Sequence, residues 1–278
     1  MADSHWNAEA LRSQLETLWP GIGIEIVGET GSTNTDLVDR TRAASAFAPS
    51  LRVAELQSAG RGRQGRPWLS ERGASLTFSL AVPLAAADWS GLSLAVGVAL
   101  AEALDAPDPE HRIGLKWPND LWLLDAPGRG RKLGGVLIET VSMGAQRIAI
   151  IGVGLNLRPI SAGVEVATGY ACLEELTVNV AAPAVLERVA GPLATALPLF
   201  ERAGFAAFHE RFAVRDLLFD QPVRTTHADA LEGVAAGVTP QGALMIRTPA
   251  GIVASVSSGE VSVRVAPASA AAASPPPC

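Results

Sequence analysis

The chain has 278 residues, 48% of them hydrophobic and 18% charged, which supplies a substantial core and excludes disorder over most of its length. A formal net charge of -6 argues against a general nucleic-acid binder while leaving room for a local basic site. Cys172 and Cys278, the only cysteines, lie far apart, so neither a disulfide framework nor a zinc motif is supported, and Cys172 reads as a small buried hydrophobe. The first ten residues, MADSHWNAEA, lack the basic and apolar regions of a secretion signal. The longest strongly apolar run, 91–104, is short of a membrane span and carries Glu102. The expected setting is a reducing compartment, the cytoplasm.

In chain order, residues 7–19 place Leu11, Leu15 and Leu18 at helical spacing, and Pro20 and Gly21 stop that helix. Residues 22–28 alternate as a strand. A helix then starts in GSTNTDLVDRTRAA, where Thr33 and Asp36 have the spacing of a capping box. A second strand covers 51–57, a third 74–82, and a buried helix 91–104. IGLKW (113–117), a PND turn and LWLL (121–124) form an expected hairpin, followed by strands at 132–141 and 147–157 around a turn at Gly144. Residues 183–200 read as helix interrupted by prolines, and 203–218 as a further helix. From Asp220 short strands alternate with Gly, Pro and Asp turns, a small β-barrel-like unit, and the Ala/Pro-rich residues 266–278 read as disordered. The expected organisation is an α+β catalytic domain over 1–218, a small β domain over 219–265, and a tail. The short turns between central strands favour an antiparallel or mixed sheet.

The loop QSAGRGRQGRPWLS (57–70) contains the G-x-G-x-x-G of dinucleotide-binding proteins at Gly60, Gly62 and Gly65. That fingerprint needs a helix after its last glycine, and here proline, turn residues and a strand follow. A nicotinamide-dependent oxidoreductase is therefore disfavoured. Glycines that let backbone approach closely, with Arg61, Arg63 and Arg66 between them, suit a loop that orders over a polyanion. The bland alternative is a solvated basic surface loop.

Asn119 and Asp120 are turn formers in LKWPNDLWL, and Asp120 is also a candidate to orient a ligand or a phosphate-bound metal. Lys132 opens an apolar strand, where it is either solvated or turned inward to neutralise an anion. Asn156 sits in an apolar strand and needs hydrogen-bond partners. His5, His111, His209 and His227 have no metal-ligand spacing, and no G-x-S-x-G, H-E-x-x-H or Walker A motif occurs.

Together GSTNTDL, ELQSAGRGRQGRPWLS, LKWPNDLWL, RKLGGVLIE and IGVGLNL, in this order, resemble the biotin protein ligases, and GALMIRT…SGEVSVR resembles the SH3-like domain that closes them. The resemblance implies a class II synthetase-like catalytic domain with a central mixed sheet and flanking helices. It implies a two-step reaction: ATP and biotin form biotinyl-5′-adenylate, and the biotinyl group passes to a lysine of a biotin carboxyl carrier domain. Matching positions assign biotin contacts to Ser32, Thr33, Asn34, Gln57, Arg61, Gly62, Arg63 and Lys132, with Arg63 and Lys132 also catalytic. Arg66, Trp68, Asn119, Asp120 and Asn156 fall on the nucleotide side, and Mg²⁺ is expected with ATP. The family contains monomers and dimers, so a homodimer is compatible. About 21 residues precede the first strand, too few for the DNA-binding domain some members carry, so a ligase-only form without specific DNA binding is expected. Ser258, Gly259 and Glu260 stand where the family has Gly-Gly before an acidic residue. A lipoate or octanoate ligase of the same superfamily is the alternative.

Overall fold

The computed structural model describes residues 6–105, 111–161, 169–226, 232–257 and 263–265. The expectations for His5, His227, Ser258–Glu260 and the tail with Cys278 lie outside the described residues. Asn7 caps α1 (Ala8–Glu16) by accepting the Ala10 N–H at 3.1 Å, and Leu11 and Leu15 turn into the core. β1 (Gly23–Val27), α2 (Thr33–Ala43) and β2 (Ser50–Ala54) form a β–α–β unit whose strands pair in parallel. α2 starts one residue earlier than the expected capping box requires: Ser32 is the cap, its Oγ accepting the Thr35 N–H at 3.4 Å. Asp36 is drawn elsewhere, accepting from Thr30 Oγ1 at 2.6 Å and from Arg52 Nε at 2.7 Å, and a charge-assisted partner outweighs a backbone amide.

β3 (Ser75–Pro83), α3 (Leu92–Leu104), β4 (Ile113–Lys116), β5 (Asp120–Ala126), β6 (Arg129–Met143) and β7 (Gln146–Asn156) follow. The seven strands order as β1-β2-β3-β7-β6-β5-β4, antiparallel at every pairing except β1–β2. This is the mixed sheet that the short turns favoured. No helix follows the glycine loop before β3.

Strand alternation sorts β7 into two faces. Ile151, Val153 and Leu155 enter the main core with Phe78 and Leu100, and α1, α3 and α4 (Ala182–Ala203) contribute to that core. Ile148 and Ile150 pack instead with Leu37 and Val38 of α2. Gly152, Gly154 and Asn156 continue this second face, where Asn34 and Trp68 lie close against the two glycines and no Cβ intervenes. All three residues belong to a cavity wall.

α4 runs unbroken through Pro192 and Pro198, where the sequence suggested interruption. Its buried stripe of Val185, Leu186, Val189, Leu193, Leu197 and Phe200 supplies the tertiary packing that offsets two missing N–H donors. The expected helix over 203–218 is mostly absent: a 3₁₀ turn (Gly204–Phe208) leads to α5 (His209–Ala213) and then to turns. The backbone beyond α5 bonds β4 instead, Leu115 N–H donating to Arg215 O at 2.7 Å and Leu217 N–H to Leu115 O at 3.0 Å. Arg215, buried, donates to Asp105 Oδ2 at 2.6 Å and anchors this junction to the end of α3.

β8 (Pro222–Thr225), β9 (Glu232–Val238), β10 (Leu244–Arg247), β11 (Val253–Val256) and β12 (Val263–Val265) form a separate antiparallel sheet, ordered β11-β10-β9-β8-β12. This is the small SH3-like unit the resemblance implied. Trp117 Nε1 donates to Gly242 O at 3.0 Å and the His209 Nε2–Val238 O contact is 2.7 Å, which fix this sheet against the first.

Candidate active site

Gln57 lies just past β2, in an isolated parallel bridge with Thr30. Its Oε1 accepts the Thr33 N–H at 2.7 Å, and Thr33 Oγ1 lies 3.1 Å from the same oxygen. Ser79 Oγ, on β3, sits 2.7 Å from Thr33 Oγ1 and 2.6 Å from Asn34 Oδ1. Asn34 Nδ2 donates to Glu139 Oε2 at 2.9 Å and to Leu137 O at 3.4 Å, both on β6. A Cβ on Gly152 would collide with Asn34, so only glycine leaves this amide its place. Ser32, Thr33, Asn34 and Ser79 are all buried.

The arginine loop folds back on itself. Trp68 N–H donates to Gly60 O at 2.8 Å and Gly62 N–H to Arg66 O at 2.7 Å. A Cβ on Gly60 would stand 2.7 Å from Trp68 O, which is why this approach needs glycine. Ser70 Oγ accepts the Gln57 N–H at 2.9 Å and donates to Gln57 O at 3.1 Å, closing the loop at its base. The Trp68 indole lies over Gly154, where a Cβ would come within 2.5 Å of the ring. Arg61 donates to Thr35 Oγ1, while Arg66 donates to Gln64 Oε1 at 3.1 Å. Arg63 is half-buried: burial pulls its pKa down, the Asp120 carboxylate opposes that, and Arg66 adds to it.

Lys132, inward-facing, places Nζ 2.7 Å from Asp120 Oδ1 and 5.8 Å from the centre of the Trp68 ring. Asn119 Nδ2 donates to Val136 O at 2.8 Å while Val136 N–H returns to Asn119 O at 2.9 Å, clamping the PND turn to β6. Asn156 Nδ2 donates to Lys132 O at 3.2 Å and Ala171 O at 3.0 Å, so this buried amide fixes the backbone that carries Lys132.

The site opens onto one cavity of about 1070 Å³, and every one of the thirteen residues singled out by the sequence lines it. β6 runs along it from Leu137 to Arg129, about 26 Å at strand rise. Neutral polar groups gather near Leu137. Farther along come Lys116, Lys132, Arg63, Arg129 and Arg131, against only Asp120 and Asp125 among the lining carboxylates. Both carboxylates are already in ion pairs, Asp120 with Lys132 and Asp125 with Arg131 at 2.8 Å. In a chain of net charge -6, this is a local field for a polyanion.

The family model for the biotin/lipoate A/B protein ligase family matches residues 28–156, and that for the biotin protein ligase C-terminal domain matches 218–264. The chain is 34% identical over 266 residues to the bifunctional ligase/repressor BirA of Escherichia coli, covering 94% of this chain and 78% of that one. It is 32% identical over 249 residues to the biotin–[acetyl-CoA-carboxylase] ligase of Paracoccus denitrificans, covering 81% of this chain and 95% of that one. The chain belongs to the biotin protein ligase family. Its fold matches the Aquifex aeolicus biotin protein ligase in complex with biotin and ATP with a TM-score of 0.71 at 27% identity, over 88% of this chain and 99% of that one.

Several groups in the cavity wall of this biotin protein ligase, or directly behind it, went unassigned in the sequence. Ser79 and Glu139 back the Thr33–Gln57 end, and the signal for Ser79 was available: Ser75, Thr77 and Ser79 place a polar residue at every second position of an apolar strand. Arg131 joins Asp125 to Glu175 at 2.8 Å each, which holds both carboxyls below their usual pKa. Lys116 Nζ stands 4.6 Å over the Trp122 ring. Val263 and Val265 bring the C-terminal sheet to the cavity, a contribution no local pattern marks.

Proposed function

We propose that this ligase activates biotin with ATP and transfers the biotinyl group to a lysine on the carrier domain of a biotin-dependent carboxylase, acetyl-CoA carboxylase being the one its relatives' names point to. The observation that carries the reading is the single cavity joining a buried neutral hydrogen-bonding end to a cationic one. In the first step a biotin carboxylate oxygen bonds to the ATP α-phosphorus and the bond to the β-phosphate oxygen breaks, releasing pyrophosphate. Two anions must meet, and Lys132 and Arg63 are the cations that reduce their repulsion in a site closed from water. In the second step the neutral lysine amine attacks the acyl carbon, the bond to AMP breaks, and the amide forms as the nitrogen loses a proton.

Ser32, Thr33 and Gln57 suit the ureido ring of biotin, and Arg61, Gly62 and Arg63 the loop that folds over it. Arg66, Trp68, Asn119, Asp120 and Asn156 serve the nucleotide side, Asn119 and Asn156 by fixing backbone and Trp68 by offering a ring face. The glycine loop shields the labile mixed anhydride from water until the carrier arrives. Among the described residues no three His, Cys, Asp or Glu side chains converge as a metal cage. Mg²⁺ suits this site as an ion carried on the ATP phosphates, with Asp120 the carboxylate placed to meet it, and it would neutralise phosphate charge. Residues 1–218 act as the catalytic domain and 219–265 as its closing module. No helix among the described residues is long and apolar enough to cross a membrane, in keeping with work in the cytoplasm.

The test is biotin-dependent exchange of pyrophosphate into ATP together with labelling of a purified carrier domain. Folded protein showing neither would reject the reading. Because the family model spans biotin and lipoate enzymes, lipoate and octanoate are run in competition, with biotin expected to win.

A further inference from the structure

We propose that Ser79 and Glu139 are positioning residues that hold Thr33 Oγ1 as a hydrogen-bond acceptor toward the bound acid, and so select an acid whose far end donates an N–H, as a cyclic urea does. The inference rests on the biotin reading and names what enforces it.

The proton count along the buried chain leaves one arrangement. Asn34 Nδ2 faces two acceptors, Glu139 Oε2 at 2.9 Å and Leu137 O at 3.4 Å, so the amide nitrogen belongs on that side and Oδ1 faces Ser79. Two oxygens 2.6 Å apart need a proton between them, and Asn34 Oδ1 has none; the Ser79 hydroxyl therefore donates to it. Ser79 has then spent its only proton. The 2.7 Å contact between Ser79 Oγ and Thr33 Oγ1 also needs one, and it must come from Thr33. With its proton given to Ser79, Thr33 Oγ1 has none left for its 3.1 Å approach to Gln57 Oε1, which accepts the Thr33 N–H at 2.7 Å. Thr33 Oγ1 is left with lone pairs only, at the wall of the cavity. Each donor in the line polarises the next, with the Glu139 carboxylate as the final acceptor. An aliphatic acyl chain or a dithiolane has no N–H to offer there and would leave the oxygen desolvated without a partner.

The test uses the full chain in pyrophosphate exchange with biotin and with two analogues in which one or the other ureido N–H is replaced by CH₂. Ser79→Ala frees the Thr33 hydroxyl to rotate. It is expected to raise KM for biotin roughly tenfold, about one buried neutral hydrogen bond, with KM for ATP unchanged. For the analogue lacking the N–H that meets Thr33, parent and Ser79→Ala should behave alike. Glu139→Gln keeps an acceptor for Asn34 but removes its charge, so the same analogue-dependent pattern should appear at roughly threefold. It carries the test if Ser79→Ala does not fold. Equal penalties for biotin and both analogues, or none, in the variant that folds would overturn the proposal. Absence of exchange by the parent chain with biotin would instead reject the function itself.

Discussion

Thr33, Asn34 and Ser79 are at most 4% exposed and are joined in one hydrogen-bonded line anchored on β3 and β6, whereas Arg61 and Arg66, lining the same cavity, sit exposed on a loop closed by backbone bonds and Ser70. The first region is ordered before any ligand comes, because a buried polar group without a partner is costly. The second holds charges close together with much of their solvation kept, an arrangement that gains most when an anion binds. Rigid recognition at one end and exposed charge on a loop at the other suit a reaction in which a small acid must be chosen and its reactive product then retained.

Substitutions that touch one region and spare the other sharpen this contrast. Lys132→Ala should have the largest effect, lowering biotin-dependent exchange by roughly a hundredfold or more as a cation at the reacting centre is lost; circular dichroism should show the fold intact. Retained exchange would remove Lys132 from the chemistry. Arg63→Ala should leave the melting temperature almost unchanged and let the adenylate escape. Free biotinyl-adenylate in solution, measured by chromatography without carrier, should rise roughly tenfold over the parent. Unfolding by this change would show the loop to be part of the scaffold.

Outside both regions, burial raises the Asp216 carboxyl to about 6, its Oδ2 has no hydrogen-bond partner, and Oδ1 accepts the Leu218 N–H at 2.9 Å. A carboxyl whose pKa is higher folded than unfolded destabilises the fold once ionised. The cost is absent below the unfolded value near 4, grows as pH rises towards 6, and is complete above it. Asp216→Asn should therefore stabilise the chain by about 1–3 kcal/mol at pH 8 and much less at pH 4. Melting curves at the two pH values check this, and a gain of equal size at both would show that charge is not the cause. The smallest expected effect belongs to Ser70→Ala, about 1 kcal/mol, with a faster-exchanging Gln57 amide seen by hydrogen exchange.

Alternation and helical spacing were enough to place the strands of the first sheet, α1 to α3, and the change to short strands after Asp220, because those patterns record which face is buried. The motifs together marked thirteen residues that the fold gathers around one cavity. Spacing could not show that α4 survives two prolines, since tertiary packing of its apolar stripe decides that, nor that residues after α5 give their backbone bonds to β4. It gave Thr33 a capping partner in Asp36 that Arg52, from the next strand, takes away. Ser79 and Glu139 lie 45 and 105 residues from Asn34 along the chain, so only the closed sheet brings them to it. The sequence by itself determined which residue types the cavity would hold, for local chemistry is written in side chains. Which oxygen keeps a proton, and which amide props up Lys132 rather than meeting a ligand, was decided by the tertiary structure, because hydrogen-bond partners are fixed only when distant strands meet.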